Sequence, residues 1–243
     1  MQIFVSALSA SLTACVITTS GILIISRYED HARQYSIYFM AFAAGILISV
    51  PLMHIIPKSF HMAGKGSGQF VLIGFIGLFL VNYFLNSHGK ESSNQEHALG
   101  FLSIIGIGLH SLIDGFIYSV TFSTDIFTGI LSAMGTVLHE FPEGIIVFVI
   151  LKRSGFTRKK SVIYAFLTAG ATTPVGTLVS FPLVHSLTQP VLSILLAASA
   201  GALLYLGASH LLPAMERKSS PRSLAAFGGG IAVTAAIIAF KQH

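Results

Sequence analysis

Charge is what this chain has least of. Only 9% of its 243 residues are Asp, Glu, Lys or Arg, against about 25% in an ordinary soluble domain. Hydrophobic residues make up 53%, and apolar runs of roughly 20 residues recur along the whole length, more than a water-soluble core could cover. The single cysteine, Cys15, excludes an intrachain disulfide and any Cys-built zinc or iron–sulfur site. Tryptophan is missing, so an interfacial belt must rest on Tyr and Phe. No basic face with interleaved aromatics occurs, which argues against a nucleic-acid partner. What these shortages leave is an all-α polytopic membrane protein with the lipid bilayer as its solvent.

Eight apolar segments fall near residues 3–25, 35–57, 69–87, 98–121, 126–151, 161–184, 190–212 and 224–240. Each matches the about 17–25 residues that a helix needs to cross a bilayer. The connections between them are short, so a single transmembrane domain over residues 1–243 is expected. No Lys or Arg precedes Arg27, and the first run is too long for a signal-peptide core, so it reads as the first membrane helix. Eleven of the fourteen Lys and Arg lie in alternate connections, among them Lys152, Arg153, Arg158, Lys159 and Lys160. Only Lys58, Lys65 and Lys241 fall on the opposite side. Positive charge stays on the cytoplasmic face, which predicts both termini outside.

An internal echo accompanies this layout. "AGILISVPLMHIIP" (44–57) aligns without gaps to "AGALLYLGASHLLP" (200–213), with Ala, Gly, Leu, His and Pro identical. The two segments run in opposite directions in an eight-helix chain. They predict an inverted repeat, helices 1–3 against 6–8, with helices 4 and 5 between: a 3+2+3 arrangement.

The chemistry lies in two short stretches, "HSLIDG" (110–115) and "HEFPEG" (139–144). Each places a His and a carboxylate four residues apart, on one helix face. The connection "FSTD" is so short that helices 4 and 5 must be antiparallel neighbours, with both motifs near the bilayer midplane. His110, Asp114, His139 and Glu143 can then face one another. Two imidazoles and two carboxylates suit a divalent first-row metal, zinc first. Carboxylates at membrane depth cost about 2.5–3.5 kcal/mol each, and helix glue would use Ser, Thr or Asn more cheaply. Glu140 and Ser111 each follow a His and point about 100° away, where they could hold a second ion. Pro142 frees the carbonyl of Leu138, and Gly115 and Gly144 permit close helix approach.

At these residues the chain resembles the ZIP (Zrt-, Irt-like) family of divalent metal transporters. "HSLIDG" matches that family's helix-4 motif and "HEFPEG" its helix-5 motif. The resemblance implies transport of a divalent cation, with zinc, iron, manganese or cadmium as cargo rather than cofactor, toward the cytoplasm across a plasma or inner membrane. It implies a primary site at His110, Asp114, His139 and Glu143, with Ser111 and Glu140 in a neighbouring secondary site. It also implies homodimers, and an elevator in which helices 1, 4, 5 and 6 slide against 2, 3, 7 and 8. Three departures are visible. Ser111 stands where the family often has Asn. Thr173, in "TTPVG", stands where it often has Glu, which favours a single ion. Lys58 and Ala214 stand where it often has an acid after the Pro of helices 2 and 7. His54 and His210, upstream of those prolines, are candidate waypoints for the ion. A short loop with His88, Glu91, Glu96 and His97 resembles the family's metal-collecting loop.

Two other classes use similar residues. An intramembrane metalloprotease would place H-E-x-x-H on a membrane helix, with the Glu as base. Here the fifth position is Glu143 and Pro142 interrupts the motif. A metal exporter or sensor could be built on the same ligands, because ligands do not encode direction. No enzyme activity is expected.

Overall fold

The computed structural model describes residues 2–63, 67–87, 95–213 and 220–241; the side chains at 29–36, 63, 85–87, 95–104, 106, 153, 210 and 241 lie outside that description. The described residues are helical almost throughout and form eight runs. They are α1 (Gln2–Arg27), α2 (Glu29–Val50 continuing through Pro51–Ile55 and Ile56–Ala63), α3 (Ser67–Ser87) and α4 (Gln95–Thr124). Then come α5 (Ile126–Arg153), α6 (Arg158–Ala165, Phe166–Gly170 and Thr172–His185), α7 (Gln189–Tyr205 and Leu206–Leu211) and α8 (Pro221–Lys241). Among the described residues, seven of these are long and apolar enough to cross a membrane; α4, whose first half lies largely outside the described side chains, is the other. The predicted segments thus appear in order. The largest difference is in α2, which runs from Glu29 to Ala63 instead of over 35–57, so Lys58 also belongs to the helix.

Three runs contain a widened, π-helical turn. Ile56 N–H reaches back five residues to Pro51 O, Ala171 N–H to Phe166 O, and Leu212 N–H to Gly207 O. In α2 the reason is local: Pro51 has no N–H and its ring crowds the carbonyl four residues earlier, which an extra residue in the turn accommodates. Pro51 and Gly207 occupy the same place in the two echoed segments, so the widened turn recurs with the sequence.

Packing is organised by four close helix crossings, each seated on two glycines that face each other's backbone. In the α2–α8 crossing, a side chain on Gly45 would strike the carbonyl oxygen of Phe227, and one on Gly230 that of Phe42. Gly74 and Gly201 do the same for α3 and α7, Gly115 and Gly176 for α4 and α6, and Gly21 and Gly144 for α1 and α5. Lipid offers helices no hydrophobic drive to associate, so bare backbone-to-backbone approach supplies the dispersion contact. A methyl at any of these seats forces two backbones apart, an overpacking cost of about 1–3 kcal/mol. The contact of α2 with α5 is different: Gly135 meets the side chains of Ile46 and Leu47. Those two belong to the largest buried apolar cluster, together with Ile55, Leu131, Leu196 and Leu203. Many hydroxyls return to their own helix, as Ser49 does to Gly45 O at 2.7 Å and Thr234 to Gly230 O at 3.0 Å, so these two add no unmet donor in lipid.

Candidate metal centre

His139 lies midway between Ile126 and Lys152, the ends of the apolar span of α5. Asp125 starts that helix: its backbone is extended and its side chain accepts from Thr128 N–H, an N-cap that fixes where the helical register begins. From that start, His139 and Glu143 fall one turn apart on the face toward α4, where His110 and Asp114 form the matching pair. The four side chains converge. His139 Nε2 lies 3.4 Å from Asp114 Oδ2, 3.3 Å from Glu143 Oε2 and 3.4 Å from His110 Nε2. His110 Nε2 lies 3.5 Å from Asp114 Oδ2 and 3.7 Å from Glu143 Oε2. All four donor atoms fit within 4.8 Å.

Those spacings have a physical meaning. A tetrahedron of N and O ligands about 2.0–2.1 Å from a zinc ion has edges of about 3.3–3.4 Å. Five of the six edges here are 3.3–3.7 Å. The donor set suits a borderline divalent ion, and its two carboxylates offset the charge of one such ion in a low dielectric. Asp114 and His139 are nearly inaccessible, while His110 keeps 21% of its side-chain surface exposed and so marks the open side. Asp114 Oδ2 is buried without a close hydrogen bond and faces the two imidazole nitrogens at 3.4 and 3.5 Å. The two imidazoles meet edge to face, with ring centroids 5.6 Å apart, and this packing sets their tilt. Ser111 Oγ sits 3.3 Å from Glu143 Oε1 and 3.0 Å from Ile107 O, so its one proton is divided between that carboxylate and the backbone of its own helix.

Glu140 is placed elsewhere. It is fully buried, and its two oxygens are taken by hydroxyls: Thr173 Oγ1 donates to Oε1 at 2.9 Å, and Thr18 Oγ1 donates to Oε2. It does not belong to the four-residue cluster. The motif glycines make this possible, because Gly144 lets α1 close on α5 at Thr18, and Gly115 lets α6 close on α4 at Thr173. Thr18 is the residue that sequence reasoning missed. It lies 122 positions from Glu140 in an ordinary apolar helix, and no local pattern marks it.

Of the candidate waypoints, His54 is near the start of α5 instead of the cluster: its Nε2 is 3.0 Å from Thr128 Oγ1, and its ring packs edge-on against Phe127. The side chains of His210, Glu96 and His97 lie outside the description, as do residues His88 and Glu91; the backbone of Glu96 and His97 belongs to the first turn of α4, so these two are not in a loop as expected.

Helices of this length and composition, with a largely buried His/carboxylate tetrad between two of them, define a polytopic membrane protein with a cation-type centre. A model of the ZIP zinc transporter family matches residues 86–238, and the chain belongs to that family. It is 27% identical over 215 residues to the zinc transporter ZupT of Akkermansia muciniphila, covering 74% of this chain and 76% of that one. It is 28% identical over 242 residues to the ZupT of Chlorobium luteolum, covering 89% and 90%. Against the zinc transporter ZIP13 homolog of Drosophila melanogaster it is 30% identical over 161 residues, which spans 63% of this chain but only 45% of that longer protein. The protease reading is not favoured. Its base would have to be Glu140, which Thr18 and Thr173 hold away from the cluster.

Proposed function

We propose that the chain carries divalent metal ions, zinc foremost, across a membrane toward the cytoplasm, one ion at a time, on His110, Asp114, His139 and Glu143. The observation that carries this reading is the set of 3.3–3.7 Å separations among four donor atoms on two adjacent membrane helices. The zinc transporters to which the chain is similar support the same cargo. The single-ion reading is supported by Glu140, whose oxygens already have partners, and by Thr173 in place of an acid. His54 and His210 are assigned to the path of the ion, not to its resting place.

The proposed transport motion is an elevator within a 3+2+3 inverted repeat, with both termini outside. Exchanging helix 1 for 6, 2 for 7, 3 for 8 and 4 for 5 turns the α2–α8 crossing into α7–α3, and the α1–α5 crossing into α6–α4. The glycines follow the same exchange, Gly45 to Gly201 and Gly230 to Gly74, and this supports the repeat. Every crossing of that kind lies inside one of two bodies, α1, α4, α5 and α6 or α2, α3, α7 and α8. Backbones interlock within each body, whereas α2 and α5 meet across the boundary through side chains, which can slide. The positive charge of the connections supports the orientation of the helices; the direction of transport rests on analogy with the family, since ligands bind from either side.

The test is uptake of zinc into liposomes that carry the protein and a zinc-sensitive dye. Replacing Asp114 by Ala is expected to abolish uptake. A normal rate in that variant would remove the tetrad from the mechanism.

A further inference from the structure

The end of α2 meets the start of α5 in a polar cluster that is separate from the four donor atoms. Lys58 Nζ lies 2.6 Å from Asp125 Oδ2, with both side chains about one-third exposed, at 30% and 31%. Thr128 Oγ1 donates to the same oxygen, and His54 Nε2 sits 3.0 Å from that hydroxyl. Asp125 therefore acts twice, capping α5 through Oδ1 and holding α2 through Oδ2. Lys58 is one turn beyond His54, so the widened turn of α2 aims both side chains at α5. Other charged groups do not contribute: among the described residues this is the one ion pair that does not involve a histidine.

From this geometry we infer that Lys58 and Asp125 form a latch that holds α5, and with it His139 and Glu143, at one end of its travel against α2. The inference rests on the transport reading above, in which α2 and α5 belong to bodies that move past each other. A helix is stiff along its axis, so His139, 14 residues beyond Asp125 and about 21 Å away, must shift whenever the capped end shifts. The latch also explains why a cation is tolerated at the positive end of the α5 dipole: Asp125 stands between the two. The residues act as positioning residues, since neither reaches the donor atoms.

The experiment uses the full chain with Cys15→Ser, carrying Lys58→Cys and Asp125→Cys, in liposomes. A short, reducible bifunctional thiol reagent is expected to link the pair, cut zinc uptake on the order of tenfold and leave zinc titration of the tetrad unchanged, with uptake restored on reduction. Linked protein that transports at the unlinked rate would overturn the latch, and so would failure of the pair to link. A second arm keeps the Asp125 cap intact. Spin labels at Phe60→Cys and Ile126→Cys report the α2–α5 distance in the Cys15→Ser protein, with Lys58→Met or Lys58→Arg added. Lys58→Met should shift the population of the short distance roughly two- to fivefold, the span for a part-exposed ion pair, and Lys58→Arg should leave it in place. An unchanged distribution in Lys58→Met contradicts the latch. Neither arm depends on Asp114→Ala, so loss of the latch and loss of the metal-site reading would be told apart.

Discussion

Glu143 and Glu140 stand three residues apart on one helix, and their surroundings are opposite. Glu143 Oε2 faces two imidazoles at 3.3 and 3.7 Å, with Asp114 beside them. Glu140 faces two threonine hydroxyls from two other helices. In the proposed function, the first carboxylate serves a cation that comes and goes. The second is tied by hydrogen bonds to α1 and α6, and so helps to weld the site-bearing helices into one body. A membrane carboxylate is costly wherever it sits. The two residues meet that cost differently, one with an exchangeable partner and one with permanent partners.

Breaking the first arrangement should have the largest effect. His139→Ala removes one of four donors, and zinc affinity measured by titration should fall by more than about 100-fold, the upper end of what a mere supporting partner costs. Glu140→Ala should leave that affinity nearly in place. It strands two buried hydroxyls instead and should cost stability, about 1–3 kcal/mol, read as a lower unfolding temperature in detergent. The figure falls toward the low end because Thr18 Oγ1 also lies 2.9 Å from Ala14 O, an alternative acceptor. Thr173→Glu converts one region toward the other. Two carboxylates would then share a buried site, and a second, weaker zinc ion should appear in titration. Glu140→Gln should do least, because the amide oxygen can still accept from Thr173 while its NH2 donates to Thr18, whose own proton turns to Ala14 O.

Acidity separates the tetrad from the latch. Protons compete with metal for His and carboxylate donors, so zinc affinity should fall as the medium is acidified from neutral. Asp125 behaves otherwise. Burial pushes its carboxyl up, but hydrogen bonds from Lys58 and Thr128, with the charge of Lys58, hold it below the ordinary carboxylate value. A depressed value means that its stabilising contribution is complete above the unfolded value, about 3.9, and is lost only as pH falls through the lower folded one. The latch is therefore intact at mildly acidic pH. Lys58→Met should leave the acid dependence of zinc binding between pH 7 and 5 unchanged.

The sequence made one kind of information legible and hid another. Helix positions follow from apolar length, and the His–acid pairs follow from spacing, because both are local properties of a helix. Glu140 could be placed on a different face from His139 and Glu143 by counting 100° per residue. Its partners could not be found that way: Thr18 and Thr173 arrive from helices whose approach depends on distant glycine seats. The echo of 44–57 in 200–213 was visible, but the recurring widened turn beneath it was not, since π-helical geometry leaves no residue pattern of its own. The same holds for Lys58. As a residue after a proline it read as the end of a helix, whereas the longer α2 carries it to Asp125.

The difference between the two glutamates reduces to a count. Equilibrium zinc titration of the purified full-length chain, compared with its Glu140→Gln variant, should give one tight ion per chain in both. Two equally tight ions in the unaltered chain, falling to one in Glu140→Gln, would make Glu140 a metal ligand and contradict the account.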